Sequence, residues 1–149
     1  MKKILFRSLL VIGLATAVVS CNDDDDDNTG GGSSSSLVGV WDQLTDFYTV
    51  TSGGVVLDSD TSTYAPGEQV IDFRSNGTVI TTDDTGSDTS NYTYSGNTLT
   101  IVTDDMGTLD TLVFSTSING NDGTFTNTST ESVNGVTFTY VFGITVRKR

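Results

Sequence analysis

From Leu37 to the end of the chain, apolar and polar residues alternate in short runs, the pattern of strands with one buried face. The last run is the clearest, because Phe138, Tyr140, Phe142 and Ile144 share one face. Thr, Val, Ile, Phe and Tyr are frequent and no window shows helical periodicity, which favours β-structure. The pattern predicts about eight strands, at Val38–Val50, Glu68–Phe73, Thr78–Thr82, Asn91–Ser95, Thr98–Thr103, Thr108–Ser115, Thr124–Ser132 and Val136–Arg147.

Tight-turn sequences rich in Asn and Gly separate several of these runs. Both residue types tolerate the positive φ of hairpin turns, so the strands they join should be antiparallel neighbours. A meander of one-sided strands must close into a barrel or fold into two packed sheets. We expect an all-β, roughly eight-stranded antiparallel up-and-down barrel. The turns are Ser75-Asn76-Gly77, Ser95-Gly96-Asn97, Asn121-Asp122-Gly123 and Asn134-Gly135.

The first 20 residues have the layout of a secretory signal peptide. Lys2, Lys3 and Arg7 precede an apolar run too short to span a bilayer, and small residues lead to Cys21. This segment resembles a bacterial lipobox, whose cysteine becomes the acylated first residue of the mature protein. Cys21 is the only cysteine, which fits lipidation and excludes an internal disulfide. The alternative is an ordinary signal peptide followed by a free thiol.

An aspartate run, 23–27, follows Cys21 directly. It resembles the export signal that sends lipoproteins of the Bacteroidota to the outer face of the outer membrane. The alternatives are a charged spacer and retention on the periplasmic face. The Gly- and Ser-rich residues that follow should form a flexible tether. We therefore expect a signal peptide at 1–20, a lipidated acidic and Gly/Ser tether at 21–36, and one folded domain at 37–149.

Net charge narrows the class of partner. The whole chain carries −12, and removal of the signal peptide leaves four basic residues against 19 acidic ones, a formal charge of −15. Such a surface repels phosphate backbones, so we expect no nucleic-acid partner. We expect attachment to the membrane through the lipid on Cys21, together with an unknown small ligand or envelope protein.

Two motifs stand out in the predicted domain, Gly39-Val40-Trp41 in the first strand and the hairpin at 71–79. The first resembles the Gly-x-Trp signature of lipocalins and of lipocalin-like domains in Bacteroidota lipoproteins, and the second resembles a hairpin of the same domains. The resemblance implies that Trp41 plugs the closed end of a barrel and that Arg147, near the end of the last strand, packs over it. The Thr-Asp-Tyr signature of lipocalins is absent, which favours a smaller and more filled relative.

In an up-and-down meander, alternate connections lie at the same end, and this rule sorts the charges. Seven aspartates should share one rim with Glu68 and Glu131, whereas Arg74 and the basic C-terminus should lie at the tethered end. A repeat, Ile-x-Thr-Asp-Asp-x-Gly, places Asp83, Asp84, Asp104 and Asp105 side by side on this rim. Carboxylate clusters suit Ca²⁺ or a cationic ligand. Turn chemistry that adds solubility is the favoured explanation of the repeat, because no full Ca²⁺-loop spacing is present. The seven aspartates are Asp58, Asp60, Asp83, Asp84, Asp88, Asp104 and Asp105.

The barrel interior could offer polar groups to a small ligand, although barrels of this size are often filled by their own side chains. We expect a filled or nearly filled interior. The candidate ligand-binding residues are Gln69, Tyr92, Tyr94, Asn127, Ser129 and Tyr140.

The chain has no histidine, which excludes the histidine-assisted nucleophiles and ordinary zinc sites. We therefore expect no enzymatic activity and no cofactor beyond a weakly indicated Ca²⁺. A carboxylate-pair hydrolase is a weak alternative. The leading hypothesis is a tethered binding module with an outward acidic rim. The second is a structural or protein-interaction lipoprotein with a filled barrel and an exposed apolar patch around Val40, Leu44 and Tyr48.

Overall fold

The structure is a computed structural model that describes residues 37–105 and 108–149, including every side chain except those of residues 104 and 105. The predicted signal peptide, the lipidation site at Cys21 and the tether all lie outside the described residues. No helix in the described part of the chain is long and apolar enough to cross a membrane.

Every regular element of the described chain is a β-strand, and every pairing between the strands is antiparallel. The nine strands are β1 (Gly39–Ser52), β2 (Val55–Thr63), β3 (Val70–Phe73), β4 (Thr78–Asp83), β5 (Gly86–Ser95), β6 (Thr98–Asp105), β7 (Thr108–Asn119), β8 (Asp122–Val133) and β9 (Val136–Lys148).

Eight of these strands form a closed barrel. The sheet order runs from β1 through β3 to β9, and β9 then pairs with β1 along residues 41–52. Closure removes the sheet edges that an open meander would expose. The predicted antiparallel up-and-down barrel is therefore confirmed, with β2 as one additional strand.

The strand β2 was missed by the prediction, which placed its residues in a long loop after the first strand. A turn at Gly53 and Gly54, both with positive φ, folds the chain back so that β2 pairs with the second half of β1. The first half of β1 pairs with β3 instead. Asp58 and Asp60 therefore lie in a strand, not in a loop.

We call the end of the barrel where β1 begins the near end, and the opposite end the far end. Nine inward-facing apolar side chains of the barrel strands, together with Leu37, form the buried core of the described residues. The register places this core towards the near end. The nine strand residues are Trp41, Ile71, Phe73, Val79, Leu99, Phe114, Phe125, Ile144 and Val146.

Most predicted turns are confirmed, but the one before β8 is shifted. Asn134 and Gly135 both have positive φ and connect β8 to β9 as expected. The preceding turn is made by Gly120 and Asn121, whereas Gly123 is the second residue of β8. The interior of the barrel explains this shift, because a side chain at Gly123 would press against Val146.

Glu68 is also placed differently from the prediction. It lies in the six-residue connection between β2 and β3, where its carboxylate accepts a hydrogen bond from the backbone N–H of Ala65 at 3.1 Å. This connection passes beside the C-terminal residue, because the Arg149 side chain approaches Gly67. Glu68 therefore lies towards the near end, away from the far-end aspartates.

A sealed near end and an acidic far end

Trp41 seals the near end. Its side chain is fully buried, and its Nε1–H donates a hydrogen bond to the backbone carbonyl of Leu37 at 2.7 Å. The Phe125 ring meets it edge-on, with ring centroids 6.4 Å apart. Gly123 lies against the same indole, since a Cβ there would be 3.6 Å from it. The buried indole thus has a hydrogen-bond acceptor for its N–H and packing partners for its ring.

The basic residue over Trp41 is Lys148 rather than Arg147. The Lys148 ammonium lies 5.3 Å from the centre of the indole ring, within the range of a cation–π contact. Arg147 points outward and binds Asp122, with Nε and Oδ1 2.7 Å apart. The reason is the register, because Trp41 is paired directly with Lys148 and paired residues share a face.

A second contact ties the C-terminus to the near end. Both Nε and Nη2 of Arg149 donate to Oδ1 of Asp42, at 2.9 and 2.6 Å, and the Gly67 N–H donates to the same oxygen at 2.8 Å. The hydrogen bonds from Arg149 lower the pKa of Asp42 below its usual value of 3.8, although burial opposes this. This carboxylate thus joins β1, the β2–β3 connection and the end of β9.

A β-bulge at Leu44 reverses which residues of β1 face inward. Against β9, Gln43 pairs with Val146 but Thr45 pairs with Thr145, so Leu44 is the extra residue. Beyond it, Asp46 and Tyr48 share the inward face with Trp41. The predicted apolar patch is therefore wrong, because Tyr48 lies on the opposite face from that assumed and Val40, Leu44 and Tyr48 are all partly buried.

The bulge also turns Phe47 outward, onto Gly143 of the neighbouring strand. The two residues are direct partners, and a Cβ at Gly143 would collide with the Phe47 ring. The ring therefore lies flat on the bare backbone of β9 and covers it. This aromatic–glycine pair holds the register just beyond the bulge.

Two of the three tyrosines proposed as ligand groups, Tyr92 and Tyr94, form hydrogen bonds within the barrel wall. The Tyr92 hydroxyl donates to the carbonyl of Arg74 at 2.8 Å, and its ring packs edge-on against Phe73. Burial raises the pKa of Tyr92. The Tyr94 hydroxyl is 3.2 Å from Oγ1 of Thr116. Both rings pack against the buried core and both hydroxyls have protein partners.

The other proposed ligand residues are spread along the inner face. Asn127 donates through Nδ2 to the carbonyl of Val113 at 2.7 Å. Ser129 and Tyr140 are direct partners on β8 and β9, further towards the far end. Gln69 is partly buried just before β3, and its backbone carbonyl accepts a hydrogen bond from the backbone N–H of Gln43 at 2.9 Å. The structure thus brings Ser129 and Tyr140 together, but it does not gather all six residues at one point.

Six acidic side chains lie on the inner face of the far half of the barrel and of β2. Cross-strand pairing places these carboxylates on the same face as the core residues, but beyond them. In contrast, the four basic residues of the described chain are Arg74 and the three C-terminal residues, all at the near end. The carboxylates are those of Asp46, Asp58, Asp60, Asp88, Asp110 and Glu131.

Two tyrosine–aspartate hydrogen bonds organise part of this acidic region. Tyr64 donates to Oδ2 of Asp46 at 2.5 Å, and Tyr48 donates to Oδ2 of Asp58 at 2.9 Å. Burial and the Asp46 carboxylate together raise the pKa of Tyr64 to about 12. The hydrogen bond to Asp58 likewise raises the pKa of Tyr48. These pairs fix two carboxylates in place. Sequence reasoning missed them because the bulge and β2 were not predicted.

Asp83 belongs to one of the two aspartate pairs that were predicted to bind a metal ion. In the structure its carboxylate forms hydrogen bonds within the turn between β4 and β5. Its Oδ1 accepts from the backbone N–H of Thr85 at 2.7 Å and of Gly86 at 3.1 Å, and also from the Thr85 hydroxyl. Within the described residues, no group of three or more acidic or cysteine side chains could hold a metal ion. The side chains of Asp104 and Asp105 lie outside the description, so the predicted pairing of Asp83 and Asp84 with them stays a prediction.

Apolar side chains are exposed where β2 begins and where β8 turns into β9. Val55, Val56 and Leu57 are 62%, 58% and 55% exposed. Val133 and Val136, which flank the β8–β9 turn, are also exposed. The two turns are neighbours, because the Ser52 hydroxyl donates to the carbonyl of Thr137 at 2.9 Å. The far end thus combines inward carboxylates with an apolar tip.

A groove of about 330 Å³ lies on the outer surface of β7, β8 and β9, near the sealed end. Its lining includes Leu44, Asp122, Thr145 and Arg147, and the ion pair of Arg147 with Asp122 forms one side. The groove is open to solvent and is separate from the predicted binding end.

No protein-family model, curated protein or solved structure matches this chain. The resemblance to lipocalins therefore stays a prediction based on two sequence motifs.

Proposed function

We propose that this chain is a non-enzymatic, lipid-anchored envelope protein with a lipocalin-like barrel that receives a cationic ligand or partner at its acidic far end. The observation that carries the proposal is the separation of charge along the barrel. The basic residues of the described chain lie at the near end, whereas inward carboxylates line the far half. Carboxylates held along low-dielectric walls concentrate cations.

The anchor sets the direction in which the far end points. The tether precedes β1 at the near end, so an acyl group on Cys21 would hold that end towards the membrane and direct the carboxylates away from it. Several acyl chains, each gaining roughly 0.8 kcal/mol per buried methylene, give effectively permanent attachment. The aspartate run at 23–27 supports display on the outer face of the outer membrane, with the periplasmic face as the alternative.

Fractionation tests the anchor. Replacing Cys21 with Ala should move the protein from the membrane to the soluble fraction, and removing the aspartates at 23–27 should protect it from protease added to intact cells. A membrane-bound Cys21→Ala protein would contradict the anchor. Protection of the wild-type chain from added protease would instead favour the periplasmic face.

Titration with spermine, a flexible polycation, tests the binding end. NMR shifts should concentrate on far-end residues such as Tyr48 and Asp88, and binding should weaken as salt rises. The variant Asp88→Asn/Asp110→Asn should bind roughly two- to fivefold more weakly, as expected for two exposed charge pairs. Its matched control, Asp72→Asn/Asp122→Asn, removes the same charge from the near end and should bind spermine like the wild type. Equal weakening by both variants would show only a general charge effect and would contradict the proposal.

A second candidate is a structural or protein-interaction lipoprotein with a filled barrel and no small ligand. The observation that favours it is the large near-end core, which fills that half of the barrel with side chains such as Trp41, Phe73 and Phe125. It predicts no saturable binding of small cations, and interaction through exposed surface instead.

A further inference from the structure

The strand β2 has one free side. It pairs only with β1, through residues 45–52, and no strand among the described residues lies along its other edge. All nine of its residues are exposed. At about 3.3 Å per residue, this edge is roughly 30 Å long and presents backbone donors and acceptors to the side.

Proteins usually protect such an edge with charged side chains, especially lysine, or with proline, a bulge or short length. The nine-residue β2 contains neither lysine nor proline and exceeds the usual five to six residues of a strand. Its bulge falls at Leu57, near its start, because Val50 pairs with Asp58 while Thr51 pairs with Val56. From Asp58 to Thr63 the strand is regular and suited to accept another strand.

The charged residues of β2 determine which kind of strand could pair with its free edge. Asp58 and Asp60 are two residues apart and therefore lie on one face. A second copy paired antiparallel about Ser59 would place Asp58 opposite Asp60 twice, and like charges directly opposite each other are destabilising. The two aspartates therefore disfavour pairing of β2 with a second copy of itself, but they favour pairing with a strand that carries basic residues.

We propose that β2 binds, by strand addition, an extended polypeptide segment with basic residues at alternate positions. Two such residues would face Asp58 and Asp60, and the Tyr48 hydroxyl already holds Asp58 at 2.9 Å. In antiparallel addition, apolar residues that follow the basic ones would meet the exposed Val55, Val56 and Leu57. Backbone hydrogen bonds supply affinity, and the alternate side chains supply selectivity.

This inference goes beyond the proposed function, because it concerns the edge of β2 rather than the inner wall of the barrel. The probe is the labelled nonapeptide Thr-Ser-Thr-Lys-Thr-Lys-Val-Thr-Val, whose lysines fall opposite Asp60 and Asp58. Its binding to the full chain is measured by fluorescence anisotropy. We expect saturable binding, and none with the peptide in which Glu replaces both lysines.

Backbone methylation of the peptide separates strand addition from simple charge attraction. N-methyl groups at alternate residues block one edge of the peptide, and the complementary set blocks the other. Because only one edge faces β2, one methylated peptide should lose binding and the other should retain it. Equal binding of the two peptides, or no binding of the unmodified peptide, would overturn the proposal.

Protein variants locate the site. Asp58→Asn/Asp60→Asn should weaken peptide binding roughly fivefold, the value expected for two exposed ion pairs. The matched variant Asp72→Asn/Asp122→Asn, which removes the same charge from the near end, should leave peptide binding unchanged. Unchanged thermal melts would show that both variants are folded. If sedimentation shows that the wild-type chain dimerises and that the peptide disperses the dimer, a second copy is the occupant and the proposal fails.

Discussion

The two ends of this barrel are built from the same strands but meet opposite physical requirements. At the near end, inward positions carry Trp41, Phe73 and Phe125, which are almost completely buried. At the far end, inward positions on the same or neighbouring strands carry Asp46, Asp88 and other acids. The first arrangement gains stability from burial, whereas the second keeps charges where water can reach them.

This difference places the residues that stabilise the fold at the near end and those available for recognition at the far end. A core at one end can fix the register of all eight strands, because closure links each strand to two neighbours. The far end is then free to carry charged and exposed residues that contribute little to folding. Substitutions should therefore have large effects on stability near Trp41 and small ones near the far-end carboxylates.

The largest effect on stability should come from replacing Trp41 at the near end. Trp41→Ala should lower the free energy of unfolding by about 3–5 kcal/mol, because it removes a fully buried indole and leaves a cavity. Denaturant unfolding measures the loss. As the control, Leu57→Ala at the far end removes a mostly exposed side chain and should cost less than about 0.5 kcal/mol. Similar losses in the two variants would show that the near-end core does not dominate stability.

The second-largest effect on stability should come from Gly143, whose partner Phe47 lies just beyond the bulge in β1. Gly143→Ala should destabilise the fold by about 1–3 kcal/mol, because its new methyl group displaces the Phe47 ring. In a double-mutant cycle, adding Phe47→Ala should recover part of this loss. Strictly additive effects would show that the ring does not rest on Gly143.

Removing the carboxylate that ties the C-terminus to the near end should cost less. Asp42→Ala loses three accepted hydrogen bonds, and we expect about 1–2 kcal/mol because Arg149 is partly exposed. The folded state lowers the pKa of Asp42, so its stabilisation is present above pH 3.8, the ordinary pKa, and is lost as pH falls through the folded value. Stability measured down to low pH should therefore fall less steeply for Asp42→Ala than for the wild type.

Replacing Tyr64 should have a smaller effect on stability, and this effect should disappear at alkaline pH. Tyr64→Phe should cost about 1 kcal/mol through loss of the hydrogen bond to Asp46. Because the folded pKa is raised from 10.0 to about 12, the stabilisation is present below pH 10 and is lost as pH rises towards 12. Tyrosinate absorbance of the wild type should show a late-titrating group that Tyr64→Phe lacks. If the group that distinguishes the wild type from the variant ionised near the ordinary tyrosine pKa of 10.0, the hydrogen bond to Asp46 would be contradicted.

The smallest effect should come from the inner carboxylates themselves. Asp88→Asn/Asp110→Asn should change stability by less than about 0.5 kcal/mol, and in the stabilising direction, because it relieves repulsion among neighbouring acids. Thermal melts at low and high salt measure this, and the gain should shrink at high salt. A clear loss of stability would show that the far end contributes to folding.

Much of the fold could be predicted because strand alternation and tight turns are local signals. The positions of β3, β4, β6 and β9 follow from apolar alternation, and the Asn134-Gly135 turn from its two residues. The strand β2 was missed because its polar sequence shows no alternation. The Gly53-Gly54 pair, which forms a tight turn before two valines, was the available signal.

The wrong prediction that Arg147 packs over Trp41 has a different origin. The alternation of Phe142, Ile144 and Val146 already places Lys148 on the inner face, and the structure confirms it. Arg147 was chosen from the lipocalin resemblance rather than from the pattern. Here the period of two within a strand was the better guide, because a shift of one residue moves a side chain to the other face.

By itself, the sequence determined the β-class, the order of the hairpins apart from β1–β2 and, through that order, the end at which most charged residues lie, with Glu68 as an exception. Those properties depend on local periodicity and on turns that join neighbours. Only the tertiary structure decided the bulge at Leu44, the partner of β2 and the pairing of Tyr64 with Asp46. These depend on the register between strands distant in sequence, which is set by how the whole barrel closes and packs.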